Sequence, residues 1–94
     1  MIERALDARE LEAPLPLEYA IKIATSLNMG EYMKMTHRMQ PCKLGAILDE
    51  LDIEFEYFED KQIHYVFAWH KEDKQTKNFV LQRLKNEYGR TITF

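Results

Sequence analysis

The chain has 94 residues, of which 46% are hydrophobic and 31% are charged, and its net charge is −3. This composition is typical of one globular domain and excludes a disordered chain or a disulfide scaffold, while the single cysteine, Cys42, excludes an internal disulfide and a multi-cysteine metal cage. No signal peptide and no apolar run of membrane-spanning length is present, so we expect a cytoplasmic protein without a membrane partner.

Charge is distributed unevenly along the chain. Residues 1–70 carry 7 Lys and Arg against 13 Asp and Glu, whereas residues 71–94 carry 6 against 3. Nucleic acids are bound through basic surfaces that neutralise phosphates, and an acidic body does not provide one. We therefore expect no nucleic-acid partner and treat the basic tail as a separate electrostatic unit.

The first predicted elements are a short strand and a helix, joined by a turn that contains prolines. Leu6 and the turn after it fit a first strand, and Pro16 suits the first turn of a helix because its missing N–H has no partner there anyway. Glu18 stands where the helix dipole favours an anion, and Gly30 can end the segment in a left-handed conformation. The apolar stripe of this helix consists of Leu17, Ala20, Ile21, Ala24 and Leu27.

A second strand and a second helix follow. The segment from Glu31 to His37 alternates, with Met33, Met35 and His37 on one face, and this pattern predicts a strand. Pro41 then marks the start of a helix with apolar residues at Leu44, Ile47, Leu48 and Leu51. The methionines raise the alternative of a Cu(I) site, but we expect them to pack under the helices, because flexible apolar side chains fill irregular cores well.

Two alternating, aromatic-rich runs at 53–59 and 63–70 predict a β-hairpin, with Asp60, Lys61 and Gln62 in its loop. We expect the inward face of the hairpin to consist of Ile53, Phe55, Tyr57, Tyr65, Phe67 and Trp69. Val66 and Ala68 then lie on the opposite face, where an exposed sheet would carry polar residues. A further element is therefore expected to cover that opposite face.

The sequence pattern of residues 71–94 predicts a third helix from Lys74 to Tyr88, with Asp73 as its N-cap and Gly89 at its end. Its apolar stripe consists of Val80, Leu81, Leu84 and Tyr88. The stripe either covers the open face of the sheet or docks on a second copy of the protein, which would give a homodimer.

The predicted order is strand, helix, strand, helix, strand, strand and a C-terminal helix. Right-handed crossovers place the two early helices on the same side of the sheet. We therefore predict an α/β (α+β) fold, a two-layer sandwich with a mixed four-stranded sheet over residues 1–70. A helical extension over residues 71–94 completes the same single domain.

One set of positions matches the motif of a known family: Leu6, Asp7, Ala8, Arg9, Leu11, Pro14, Pro16, Gly30, Glu31, Pro41 and Leu44. Through them, residues 5–70 resemble the small sulfur carriers of the TusA or SirA-like family, in which a Cys-Pro-x-Pro turn presents a nucleophilic thiol. Ala13 stands at the position of that cysteine and Glu10 at a usual glycine, so the chain looks most like an uncharacterised branch that lacks the thiol. The resemblance implies the fold but excludes sulfur transfer through residue 13, since a methyl group cannot hold a persulfide.

Both early helices are expected to start at the carboxyl edge of parallel strands, where open α/β folds bind their ligands. The residues expected to gather at this edge are Asp7, Arg9, Ala13, Pro14, Pro16, His37, Arg38 and Cys42. Cys42, expected at the start of the second helix, is a candidate thiolate activated by the helix start and by Arg38 or His37. The alternative is that Cys42 is an inert small residue in a helix cap.

The three histidines do not predict a metal site. His64 and His70 are six residues apart on one strand, which is about 20 Å and too far for one ion. His37 and Cys42 would supply two ligands, fewer than a closed site needs. We therefore expect neither a metal nor another cofactor.

Three functions are compatible with this sequence. The first is a non-catalytic module that binds a protein partner or a small anionic ligand at the edge that carries Arg9 and Arg38. The second is thiol redox chemistry or a displaced sulfur relay through Cys42. The third is self-association through the C-terminal helix.

Overall fold

The computed structural model describes residues 1–90, and these residues form the predicted elements in the predicted order. The strands are Ile2–Asp7 (β1), Glu31–His37 (β2), Ile53–Asp60 (β3) and Ile63–His70 (β4), and the helices are Leu15–Thr25 (α1), Leu44–Glu50 (α2) and Lys74–Tyr88 (α3). The strands form a mixed sheet in the order β1-β2-β4-β3, in which β1 and β2 are parallel and the other neighbours are antiparallel. The predicted α+β fold is confirmed, and residues 91–94 of the predicted extension lie outside the described residues.

Helices α1 and α2 pack on one face of the sheet. Met33 and Met35 of β2 are fully buried on this face, in one apolar cluster with Ala20 and Ala24 of α1 and Leu48 of α2. The methionines therefore fill the core between the sheet and the helices, as their alternation in the sequence predicts.

The pairing of β3 with β4 differs from the prediction. Phe55 lies opposite Ala68 and Tyr57 lies opposite Val66, so Val66 and Ala68 share the face of α1 and α2. The reason is the hairpin loop, which has two residues, Lys61 and Gln62, instead of the expected three. Both adopt positive φ angles, 51° and 67°, as a tight two-residue turn requires.

A change of one residue in the loop changes which residues of β4 face which side of the sheet. The expected inward set was therefore wrong in half of its members: Tyr65, Phe67 and Trp69 lie on the face opposite to α1 and α2. The apolar face that another element must cover is therefore the aromatic face, which carries Tyr65, Phe67 and Trp69.

Helix α3 covers the aromatic face and adds a third layer. Val80 and Leu84 are fully buried in one cluster with Tyr32, Phe67 and Trp69 of the sheet. The apolar stripe of α3 is thus used within the chain. Of the two docking places that the sequence leaves open, α3 occupies the sheet of its own chain.

The ends of α3 follow the prediction. Asp73 is the N-cap, and its Oδ1 accepts a hydrogen bond from the backbone N–H of Thr76 at 3.1 Å. Its Oδ2 accepts one from the N–H of Gly30 at 2.7 Å, which ties the start of α3 to the turn before β2. Gly89 ends the helix in the left-handed conformation, with φ at 65°.

Candidate functional site

The carboxyl ends of β1 and β2 lie side by side. The two strands are parallel, with Asp7 opposite Thr36, and the chain continues from them into the turns that lead to α1 and α2. Nη1 of Arg38 donates to the carbonyl oxygen of Arg9 at 2.6 Å and to that of Leu11 at 3.4 Å. Arg38 therefore connects the two turns and holds them at the same edge of the sheet.

A groove of about 330 Å³ lies between these two turns. Six of the predicted site residues line it, namely Ala13, Pro14, Pro16, His37, Arg38 and Cys42. The rest of its lining consists of Leu11, Leu17, Met35, Met39, Gln40, Pro41, Lys43 and Leu44. Asp7 and Arg9 lie beside the groove and do not contribute to its lining.

Asp7 and Arg9 form an exposed ion pair with each other. Nε of Arg9 donates to Oδ1 of Asp7 at 2.9 Å and Nη2 donates to Oδ2 at 2.7 Å, so the guanidinium holds the carboxylate in a two-point contact. These side-chain hydrogen bonds, with a further one from the Arg9 backbone, lower the pKa of Asp7 to about 2. The guanidinium of Arg9 is therefore engaged by its own chain.

The guanidinium of Arg38 also contacts groups of the chain. Besides the two carbonyl oxygens, it faces Glu12, whose Oε1 lies 3.6 Å from Nη2. Glu12 is 85% exposed, so this pair adds little to stability. Through its hydrogen bonds to the carbonyl oxygens of Arg9 and Leu11, Arg38 holds the turn before α1 against the end of β2.

Cys42 lies in the turn before α2 and not at its start, where the sequence placed it. The helix begins at Leu44, with Lys43 as its N-cap, and it has seven residues. The exposed thiol contacts the carbonyl oxygen of Gln40 at 3.5 Å. Cys42 also lines a second cavity of about 140 Å³, together with Gly45, Phe55 and Tyr57 among others.

His37 is the buried polar residue of the groove, with 7% of its surface exposed. The backbone N–H of Arg38 donates to its Nδ1 at 3.0 Å. Burial lowers the pKa of His37 below its ordinary value of 6.5, and electrostatic interactions with Arg38 and His64 lower it further. His37 is therefore neutral at neutral pH, with its proton on Nε2.

The other two histidines are engaged elsewhere. Nδ1 of His64 and the hydroxyl of Tyr57 are hydrogen-bonded at 2.7 Å, and Nε2 of His70 and the carbonyl oxygen of Leu27 at 2.6 Å. Among residues 1–90, no group of three His, Cys, Asp or Glu side chains could hold a metal ion together.

The apolar lining of the groove was missed by reasoning from the sequence. Leu17 and Leu44 were assigned to helical core stripes, and both do pack against the core, but their positions beside the turns also place them at the groove. The sequence feature that could have indicated an apolar lining is the occurrence of apolar residues and prolines just before both helices, at Leu11, Pro14 and Pro41.

The fold and the groove define this chain as a small α+β protein with an apolar groove at the carboxyl edge of its two parallel strands. Comparisons with protein families, with curated proteins and with solved structures found no match for it. In the part of the chain that the structure describes, no helix is both long enough and apolar enough to cross a membrane. The resemblance to sulfur carriers stays a prediction from the sequence motif.

Proposed function

We propose that this protein is a non-catalytic binding module that holds a small organic ligand in the groove between the two turns. The observation that carries the proposal is the groove itself, which is mostly apolar and lies where neighbouring parallel strands end, the usual place of ligands in α/β folds. Its volume of about 330 Å³ lies at the lower end of small-molecule sites. A cytoplasmic location belongs to the same proposal.

In this proposal neither Arg9 nor Arg38 is the main ligand-binding group. Arg9 is paired with Asp7, and Arg38 spans the turns, so neither resembles the free anion receptor that the sequence alone favours. The ligand is instead expected to gain most of its affinity by burying apolar surface against side chains such as Leu17 and Met35.

Binding of small apolar molecules is expected to perturb the groove and little else. We would record the amide NMR spectrum of the protein while titrating indole and phenylacetate, with an expected dissociation constant on the order of 1 mM, which corresponds to about 4 kcal/mol. The largest shifts are expected for the turns at residues 11–17 and 38–44. Spectra that stay unchanged with both compounds would contradict the proposal.

A pair of substitutions separates binding in the groove from binding elsewhere. Ala13→Phe places a ring in the groove and is expected to abolish the shifts, because Ala13 is exposed and lines it. Ala46→Phe adds the same ring at an exposed position of α2 outside the groove and is expected to leave binding intact. Equal binding by the two variants would place the ligand elsewhere on the protein.

Thiol chemistry at Cys42 is the second candidate function. The observation in its favour is that the exposed thiol lines both cavities at this edge. If the thiol acts as a sulfur acceptor, the protein should gain a persulfide when it is incubated with a persulfide donor, and Cys42→Ser should gain none. A wild-type protein whose mass stays unchanged in this experiment removes the candidate.

A further inference from the structure

We infer that the groove takes a small acid, an apolar molecule with one carboxylate whose oxygen accepts a hydrogen bond from Nε2 of His37. This inference rests on the proposed function, since it names the ligand class of the same groove. It is carried by the hydrogen-bonding state of His37 and by the charges that line the groove.

The hydrogen bond at Nδ1 determines which nitrogen of His37 can donate. A backbone N–H can only donate, so Nδ1, which lies 3.0 Å from the backbone nitrogen of Arg38, must be the acceptor. A neutral imidazole with an acceptor at Nδ1 carries its proton on Nε2. The ring therefore offers one N–H donor that the backbone contact leaves unused.

That donor has no protein partner among residues 1–90. The contacts of His37 include a hydrogen bond at Nδ1 and none at Nε2. In the same range, every fully enclosed side-chain nitrogen or oxygen has a partner, so Nε2 is reachable from outside. His37 is 7% exposed and lines the groove, so we place the acceptor in the groove.

The charged residues that line the groove are both cationic. Arg38 and Lys43 contribute to its surface and no aspartate or glutamate does, but Nη2 of Arg38 already faces Oε1 of Glu12 at 3.6 Å, so Lys43 is the cation that a ligand can engage. The remaining lining is apolar apart from Gln40 and the Cys42 thiol. A ligand that matches these features has an apolar body for the walls and a single anionic oxygen group for the His37 donor and for Lys43, which describes a carboxylic acid.

Three ligands with the same apolar body test this inference on the unmodified protein. We expect phenylacetate to bind about tenfold more tightly than phenylacetamide, because a charged acceptor strengthens the hydrogen bond and attracts Lys43. Phenethylamine is expected to bind most weakly, because its ammonium group cannot accept the hydrogen bond from Nε2 of His37 and is repelled by Lys43. Titration calorimetry measures the three affinities, and the ¹⁵N signal of Nε2 of His37 is expected to shift most with the acid, less with the amide and not with the amine.

Variants of His37 identify the donor. His37→Phe keeps a ring but removes the N–H and is expected to weaken phenylacetate binding about tenfold, while His37→Gln, which can still donate, recovers part of it. If His37→Phe does not fold, the three-ligand series on the unmodified protein still tests whether the groove prefers an acid. Equal affinities for the three ligands, or equal binding of phenylacetate by wild type and His37→Phe, would overturn the inference but leave the groove as a binding site. Binding of none of the three, together with unchanged spectra in the indole titration, would overturn the proposed function as well.

Discussion

Leu84→Ala is expected to lower the free energy of unfolding by about 2–5 kcal/mol. Leu84 is completely buried between α3 and the aromatic face of the sheet, in one cluster with Phe67 and Trp69. Its truncation removes apolar burial and leaves a cavity under a helix that is the cover of that face. Urea unfolding followed by circular dichroism measures the loss.

Phe79→Ala on the same helix is the matched control. Phe79 is 45% exposed and lies at the edge of the cluster, near Tyr32, so its loss is expected to cost about 1 kcal/mol. If both variants lose the same stability, α3 does not pack in the orientation described. The comparison therefore tests whether α3 packs on the sheet as a third layer. The sequence alone left open whether this helix covers the sheet or docks on a second copy of the protein.

Asp73→Ala is expected to destabilise the protein by about 2–4 kcal/mol. The carboxylate is 5% exposed and accepts hydrogen bonds from the N–H of Thr76, the hydroxyl of Thr76 and the N–H of Gly30. Alanine would leave these donors without their acceptor and would detach the start of α3 from the turn before β2. Thermal and urea unfolding at neutral pH measure the effect.

Asp73→Asn is the control, since its amide oxygen can still accept at the helix start, and its cost is expected to be smaller. Burial alone would raise the pKa of Asp73, but the hydrogen bonds from Gly30 and Thr76 outweigh burial and lower it. The stability that this carboxylate adds is therefore fully present above the ordinary pKa of 3.8 and is lost as the pH falls through the folded pKa. Asp73→Asn should lose less stability in acid than wild type; an identical acid dependence would contradict this role.

The hairpin illustrates what a sequence pattern determines and what it leaves open. Alternation along β3 and β4 identified both strands, because the alternation of side chains between the two faces is a local property of an extended chain. Which residues of β4 share a face with Phe55 depends on the loop, and the loop contains Lys61 and Gln62 at positive φ instead of the glycine or asparagine that usually signal a tight turn.

The candidate site shows the same division. The sequence identified the residues that meet at the carboxyl edge of β1 and β2, because parallel strands with short turns bring their ends together. The sequence could not show that Arg9 is paired with Asp7 or that Arg38 holds the carbonyl oxygen of Arg9, since hydrogen-bond partners depend on side-chain positions in space. Because both guanidinium groups are engaged by their own chain, the proposed site is an apolar groove with His37 as its donor instead of an anion site built on arginines.

By itself, the sequence determined the order of the elements, their approximate limits and the caps of α3 at Asp73 and Gly89. These properties follow from periodicity and from hydrogen bonds between residues a few positions apart. Only the tertiary structure decided the faces of β4, the place of α3, the start of α2 after Cys42 and the groove beside His37. The place of α3 and the groove depend on contacts between segments far apart in the chain, whereas the faces of β4 depend on a turn whose residues, Lys61 and Gln62, carry no glycine or asparagine signal.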